Sequence, residues 1–229
     1  MRWSPLLLVL LLPGSAQADP LYPWGAHSGP VIGVNPYLEV DAEGWVSPYG
    51  YLMTGPEESW DLLAGGGVDI APGGGIEGGF AEAFVRWFPA TDTALAARLG
   101  WDAEIGLYLG PEVHSVAWAG PFAWWTNLGL LAAPQEAFSA GLVATLAPEL
   151  WIGPASVFLQ VDPEIWWTPG EGFEGTTWIA PGLSLWWGPE EQTGVTLAVR
   201  LPVLDPDGTP AVAASFYFDA PLRRPARRP

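Results

Sequence analysis

Cysteine is absent from the 229 residues, so neither a disulfide framework nor thiolate chemistry is available. Lysine is absent too, and every basic residue is an arginine: Arg2, Arg86, Arg98, Arg200, Arg223, Arg224, Arg227 and Arg228. Setting aside Arg2 and the last four leaves three arginines against 25 acidic residues, a balance that repels phosphates and excludes nucleic acid as a partner. Histidine occurs only at His27 and His114. Beyond residue 18 no apolar run reaches the length of a transmembrane helix, so this chain could cross a bilayer only with strands. No 3.6-residue periodicity competes anywhere after that point.

The first 18 residues read as an export signal. Arg2 supplies the basic start, residues 6–12 the short apolar stretch, and Ala16-Gln17-Ala18 the cleavage site. Residues 19–30 form an irregular lead-in, 31–220 the folded body and 221–229 a basic Pro/Arg tail that suits neither strand nor helix.

The clearest pattern is at 94–109. Leu95, Ala97, Leu99, Trp101, Ala103, Ile105, Leu107 and Leu109 alternate with Ala96, Arg98, Gly100, Asp102, Glu104, Gly106 and Tyr108. A period of two predicts a strand with one apolar and one polar face. The same reading places strands at 31–41, 45–54, 60–70, 76–88, 112–119, 122–131, 138–152, 157–167, 176–187, 194–203 and 211–219, joined by short turns rich in Gly, Pro, Asp and Glu. The prediction is an all-β, antiparallel up-and-down barrel of about twelve strands, with ten as the alternative because 45–54, 112–119 and 122–131 alternate less cleanly. In 76–88, Glu82 and Arg86 share parity with Phe80, Phe84 and Phe88, which leaves that segment mixed.

The 15 tryptophans concentrate near segment ends, at Trp45, Trp60, Trp87, Trp124, Trp125, Trp151, Trp166, Trp167, Trp178, Trp186 and Trp187. That placement predicts interfacial girdles. With the export signal, the missing cysteine and the near-terminal strand ASFYF, the chain resembles Gram-negative outer-membrane β-barrel proteins over 31–220. The resemblance implies an outer-membrane location, with lipid and the outer-membrane assembly machinery as partners. It also implies a structural or passive role. Two features depart from it: Phe218 is followed by DAPLRRPARRP, where such barrels end on an aromatic residue, and the turns are short on both sides.

The polar faces collect Glu39, Asp61, Asp69, Asp102, Glu104, Glu149, Asp162, Glu164 and Asp219, with Arg98 and Arg200. In a membrane barrel these line the lumen and make it a narrow, cation-favouring pore. The alternative is an exported soluble lipocalin-like barrel or sandwich holding an apolar ligand between its sheets. A third reading, a barrel lipid hydrolase, rests on His114-Ser115 with Asn127, which resembles outer-membrane phospholipases and lipid A deacylases. Adjacent strand residues face opposite ways, however, so the pair cannot act as base and nucleophile. We expect no enzyme, no cofactor and no metal. Asp205-Pro206-Asp207-Gly208 reads as a hairpin turn before it reads as a calcium loop, and Glu57-Glu58 and Glu190-Glu191 as solvated turn residues.

Overall fold

The computed structural model describes residues 31–57, 59–90, 92–134, 138–187, 193–204 and 208–221. The export signal, the lead-in, residues 205–207, Glu58, Glu190-Glu191 and the arginine tail lie outside the described residues. Twelve strands follow one another: β1 Val31–Asp41, β2 Val46–Glu57, β3 Trp60–Ile70, β4 Ile76–Ala90, β5 Thr93–Asp102, β6 Gly106–Ala119, β7 Phe122–Ala133, β8 Ser139–Ile152, β9 Ala155–Thr168, β10 Gly172–Trp187, β11 Thr193–Pro202 and β12 Ala211–Pro221. Each pairs antiparallel with its neighbours in sequence, and β1 pairs with β12 to close the barrel. Closure leaves no unpaired edge. With an even strand number, both described ends lie at one rim, the terminal rim, and the turn after β1 lies at the opposite rim.

The predicted strand count and order hold, but one boundary moves. The expected strand 94–109 is a hairpin: it breaks at residues 103–105, and Gly110-Pro111, expected to be a turn, runs inside β6 with Gly110 paired to Arg98. Asp102 makes this turn. Its Oδ1 accepts from the backbone N–H of Glu104 at 2.8 Å and of Ile105 at 3.3 Å, and Gly106 then adopts φ of 68°. An aspartate that bonds to backbone two and three residues ahead, followed by a left-handed glycine, ends a strand whatever the hydrophobic pattern does. The turn keeps parity, so Leu107 and Leu109 still face the same way as Leu99, which hid the break from a period-two reading.

The apolar rows face outward. Leu99 is 54% exposed, Leu130 60% and Val85 55%, while Arg86 is wholly buried and Glu149 nearly so. A soluble lipocalin-like barrel needs the reverse, with aliphatic rows inside and charges in water, so that alternative fails on its first requirement. At about 3.3 Å per residue, strands of 10 to 16 residues are long enough to cross an apolar band of roughly 25 Å when tilted.

The tryptophans divide between the two faces. Trp60 and Trp87 pair across β3 and β4 near the terminal rim, with Trp124 and Trp187 also outward, and Trp101 and Trp167 outward at the opposite rim. Those six fit a girdle. Trp125, Trp151, Trp166, Trp178 and Trp186, expected in the girdle, point inward instead, joined by Trp118. Interior rings have room because glycines sit across the ladder from them. Gly100 pairs with Tyr108 and Gly141 with Trp166, and a Cβ at either glycine would fall within the facing ring. The glycine and tryptophan content of the chain is thus one feature: large rings laid across bare backbone.

Candidate functional site: the barrel interior

The three arginines of the barrel all face inward, each bonded to carboxylates and lying over an aromatic ring. Arg86 on β4 meets Asp61 on the adjacent β3 as a two-pronged pair, Nε to Oδ1 at 2.8 Å and Nη2 to Oδ2 at 2.7 Å. Its guanidinium carbon sits 5.5 Å from the Phe88 ring centre. Arg98 on β5 donates to Glu82 (Nε, 2.8 Å) and to Glu112 (Nη1, 2.8 Å), between Phe84 and Tyr108 at 5.2 and 5.0 Å. Tyr51 and Tyr108 also donate to Glu82, and Glu112 holds the His114 Nε2 at 2.9 Å. Arg200 on β11 reaches Glu39 on β1 at 2.8 Å, 4.8 Å from the Trp178 ring centre.

In the half nearer the terminal rim, side chains fill the lumen. All twelve strands contribute: Asn35, Met53, Asp61, Phe84, Ala96, His114, Trp125, Glu149, Gln160, Ser184, Thr196 and Tyr217 are each no more than 7% exposed. Such burial is tolerable for charged groups only where partners replace water. Asp61 has Arg86, while Glu149 accepts from the Trp125 indole N–H at 2.8 Å and from the Ser156 hydroxyl. A run of rings, Trp118, Trp151, Trp186 and Tyr217, spaced 5.8 to 6.1 Å between centres, packs beside them.

The other half contains a cavity of about 370 Å³. Five carboxylates border it, Glu82, Asp102, Glu112, Asp162 and Glu164, against the two guanidiniums of Arg98 and Arg200. Tyr49, Phe80, Trp166, Trp178, Leu131 and Val143 supply apolar wall. Asp162 accepts from Thr145 Oγ1 at 2.8 Å and from Gln160 Nε2 at 3.0 Å, and Glu164 accepts from the Trp166 indole. The bonded donors of these two carboxylates are neutral.

Of the residues singled out in the sequence, Glu39, Asp61, Asp69, Arg98, Asp102, Glu149, Asp162, Glu164, Arg200 and Asp219 lie on inward faces. Glu104 does not: it is exposed in the β5–β6 turn. The structure adds Glu82, Arg86, Glu112 and His114. Glu82 and Arg86 were discounted because they share parity with Phe80, Phe84 and Phe88, yet all five face inward. Glu112 and His114 were obscured by the turn misplaced to Gly110-Pro111. Ser115 faces away from His114, as strand geometry requires, so the resemblance to lipid hydrolases finds no nucleophile there. Among the described residues, no group of three or more His, Cys, Asp or Glu forms a metal cage.

A closed barrel that is apolar outside and charged inside has the architecture of outer-membrane β-barrel proteins. No protein-family model and no curated sequence matches the chain. Among solved structures it is similar to the KdgM porin, with a TM-score of 0.53 at 7% identity over 81% of this chain and 98% of that one. It is also similar to an outer membrane channel from Pseudomonas putida F1, with a TM-score of 0.54 at 13% identity over 92% of this chain and 100% of the channel. At these identities the likeness is one of fold.

Proposed function

We propose that this chain, exported through a cleaved signal peptide, is an integral outer-membrane barrel without enzymatic activity. Its lumen acts as a narrow passage favouring small cations, constricted in the packed half. The single observation behind this reading is the surplus of carboxylate over guanidinium around the cavity, five against two. A low-dielectric wall around an acidic cavity raises the local cation concentration and disfavours anions. The outward aliphatic rows and the girdle tryptophans support burial in lipid. In this reading the terminal rim faces the periplasm, and the chain's partners are lipid and the assembly machinery.

The test begins with membrane fractionation and gel migration with and without boiling, where outer-membrane recovery and a heat-dependent band shift are expected. Planar-bilayer recordings under a salt gradient follow. The expected result is a small conductance with a cation-selective reversal potential, inverted by Asp162→Arg with Glu164→Arg. Selectivity that ignores this reversal would remove the lumen-charge reading and leave the barrel standing.

A further inference from the structure

The carboxylates around the cavity fall into two groups on different strands. On β9, Asp162 and Glu164 accept from the neutral donors of Thr145, Gln160 and Trp166. On β4, β5 and β6, Glu82, Asp102 and Glu112 stand around one guanidinium. Arg98 bonds Glu82 and Glu112, whereas Asp102 accepts from the backbone of its own turn. Arg200, the second guanidinium at the cavity, is bonded to Glu39. Each group therefore holds a surplus of negative charge. Strands β7 and β8 lie between them and present no charged side chain to the cavity.

One row of paired residues joins the two groups. Glu112 pairs with Gly129, Gly129 with Val143 and Val143 with Glu164, and all four border the cavity. Gly129 opens this row, because a Cβ there would lie 2.8 Å from Glu112 Cγ and 2.9 Å from Val143 Cγ2. With no side chain in the way, Glu112 leans over the glycine in the direction of β9. Ladder steps of about 4.8 Å make the row about 14 Å long, and the lean shortens the span between carboxylates to about 10 Å. With each ammonium about 2.8 Å from its oxygen, about 5 Å remains between two nitrogens, the length of about three or four methylenes. Val143 and Leu131 give those methylenes an apolar wall. A single compact cation cannot use both groups: among the described residues no three of His, Cys, Asp or Glu come together as a cage for one metal ion. A dication that serves both must carry its two charges apart.

We propose that the cavity is a binding site for a short linear diamine. One ammonium rests on Glu164 and Asp162, the other on Glu112 and Glu82, and the chain lies over Gly129 and Val143. The inference rests on the acidic-cavity reading proposed above and names a solute class for it.

The test uses the full-length barrel in lipid nanodiscs with putrescine, the four-carbon diamine, as probe. Butylamine is the one-headed control and magnesium ion the compact dication. Calorimetric titration is expected to give the diamine an affinity about tenfold or more above both controls. Asp162→Asn with Glu164→Gln removes one group and should lower diamine affinity about tenfold, to the level of butylamine. Glu164→Gln alone, which keeps the shape of the side chain, is the second charge variant and should account for most of that loss. Gly129→Ala changes no charge but fills the row between the groups. It should lower diamine affinity about threefold or more and leave butylamine and magnesium unchanged. The heat-dependent band shift reports that each variant is folded. Butylamine or magnesium bound as tightly as the diamine, or diamine affinity untouched in the folded carboxylate variants, would overturn the site. Diamine affinity unchanged by Gly129→Ala would overturn its seat along the row. A barrel that binds the diamine but carries no cation current overturns the passage reading alone. A cation-selective barrel that holds the diamine no better than butylamine overturns this inference alone.

Discussion

Near the terminal rim, Arg86 and Asp61 meet as a closed pair among packed side chains. In the other half, Arg98 and Arg200 are bonded to carboxylates at the edge of a cavity, and Asp162 and Glu164 are bonded only to neutral groups. The same residue types therefore do different work in the two halves. Where the lumen is filled, each charge must be bonded, to an opposite charge as Asp61 is or to neutral donors as Glu149 is, because an unmatched ion in a buried interior costs several kcal/mol. Where water enters, a surplus of one sign can stand, and a solute can read it. Stability should concentrate in the first half and selectivity in the second.

The strongest way to break this contrast is to remove one arginine from each half. Arg86→Ala strands the Asp61 carboxylate, and we expect a loss of about 3–5 kcal/mol in urea unfolding of the detergent-solubilised barrel. Arg200→Ala leaves Glu39 near the cavity, where solvent replaces the guanidinium, and should cost about 1 kcal/mol or less. Removing both members of the buried pair, Arg86→Met with Asp61→Leu, should restore stability to within about 1 kcal/mol of the parent. Equal losses for Arg86→Ala and Arg200→Ala would mean that the two halves are equally wet. A double variant as weak as the single one would mean that packing, rather than charge matching, holds the filled half.

A smaller effect sharpens the boundary between the halves. Gly141 lies across the ladder from Trp166, a cavity-wall residue, and Gly194 across from Trp186 in the packed half. Valine at either position must move the ring. At Gly141 the cavity can take up the displaced indole, and a cost near 1 kcal/mol is expected. At Gly194 the ring has nowhere to go, and overpacking should cost about 1–3 kcal/mol. Paired unfolding curves for the two variants decide it.

The fold was largely legible because a barrel writes itself at period two, and strand number survives small errors in strand boundaries. The site was legible only where parity was clean. Asp61, Asp162 and Glu164 alternate with apolar residues and were found at once, whereas Glu82 and Arg86 share their face with three phenylalanines. A reading that expects polar residues alone on the inner face discounts such a segment, although aromatics are what pack against the guanidiniums. The split of the tryptophans had no local signal at all. Trp124 and Trp125 are adjacent and differ only in parity, and closeness to a strand end does not say which way a ring points.

The misplaced hairpin supplies the finest test, because it separates two acidic residues that the sequence put on one face. Asp102 caps the β5–β6 turn through the Glu104 and Ile105 amides and also borders the cavity, while Glu104 projects from the turn into the open. Asp102→Ala removes the acceptor for two backbone N–H groups and should cost about 1 kcal/mol, comparable to the loss of a helix cap. It should also weaken cation preference slightly, since one of the five cavity carboxylates disappears. Glu104→Gln touches neither network and should stay within about 0.5 kcal/mol of the parent, with the reversal potential unchanged. If the strand instead ran unbroken through 94–109, both carboxylates would sit on the same inner row. The two substitutions would then shift the reversal potential alike, so comparing them measures where the chain turns.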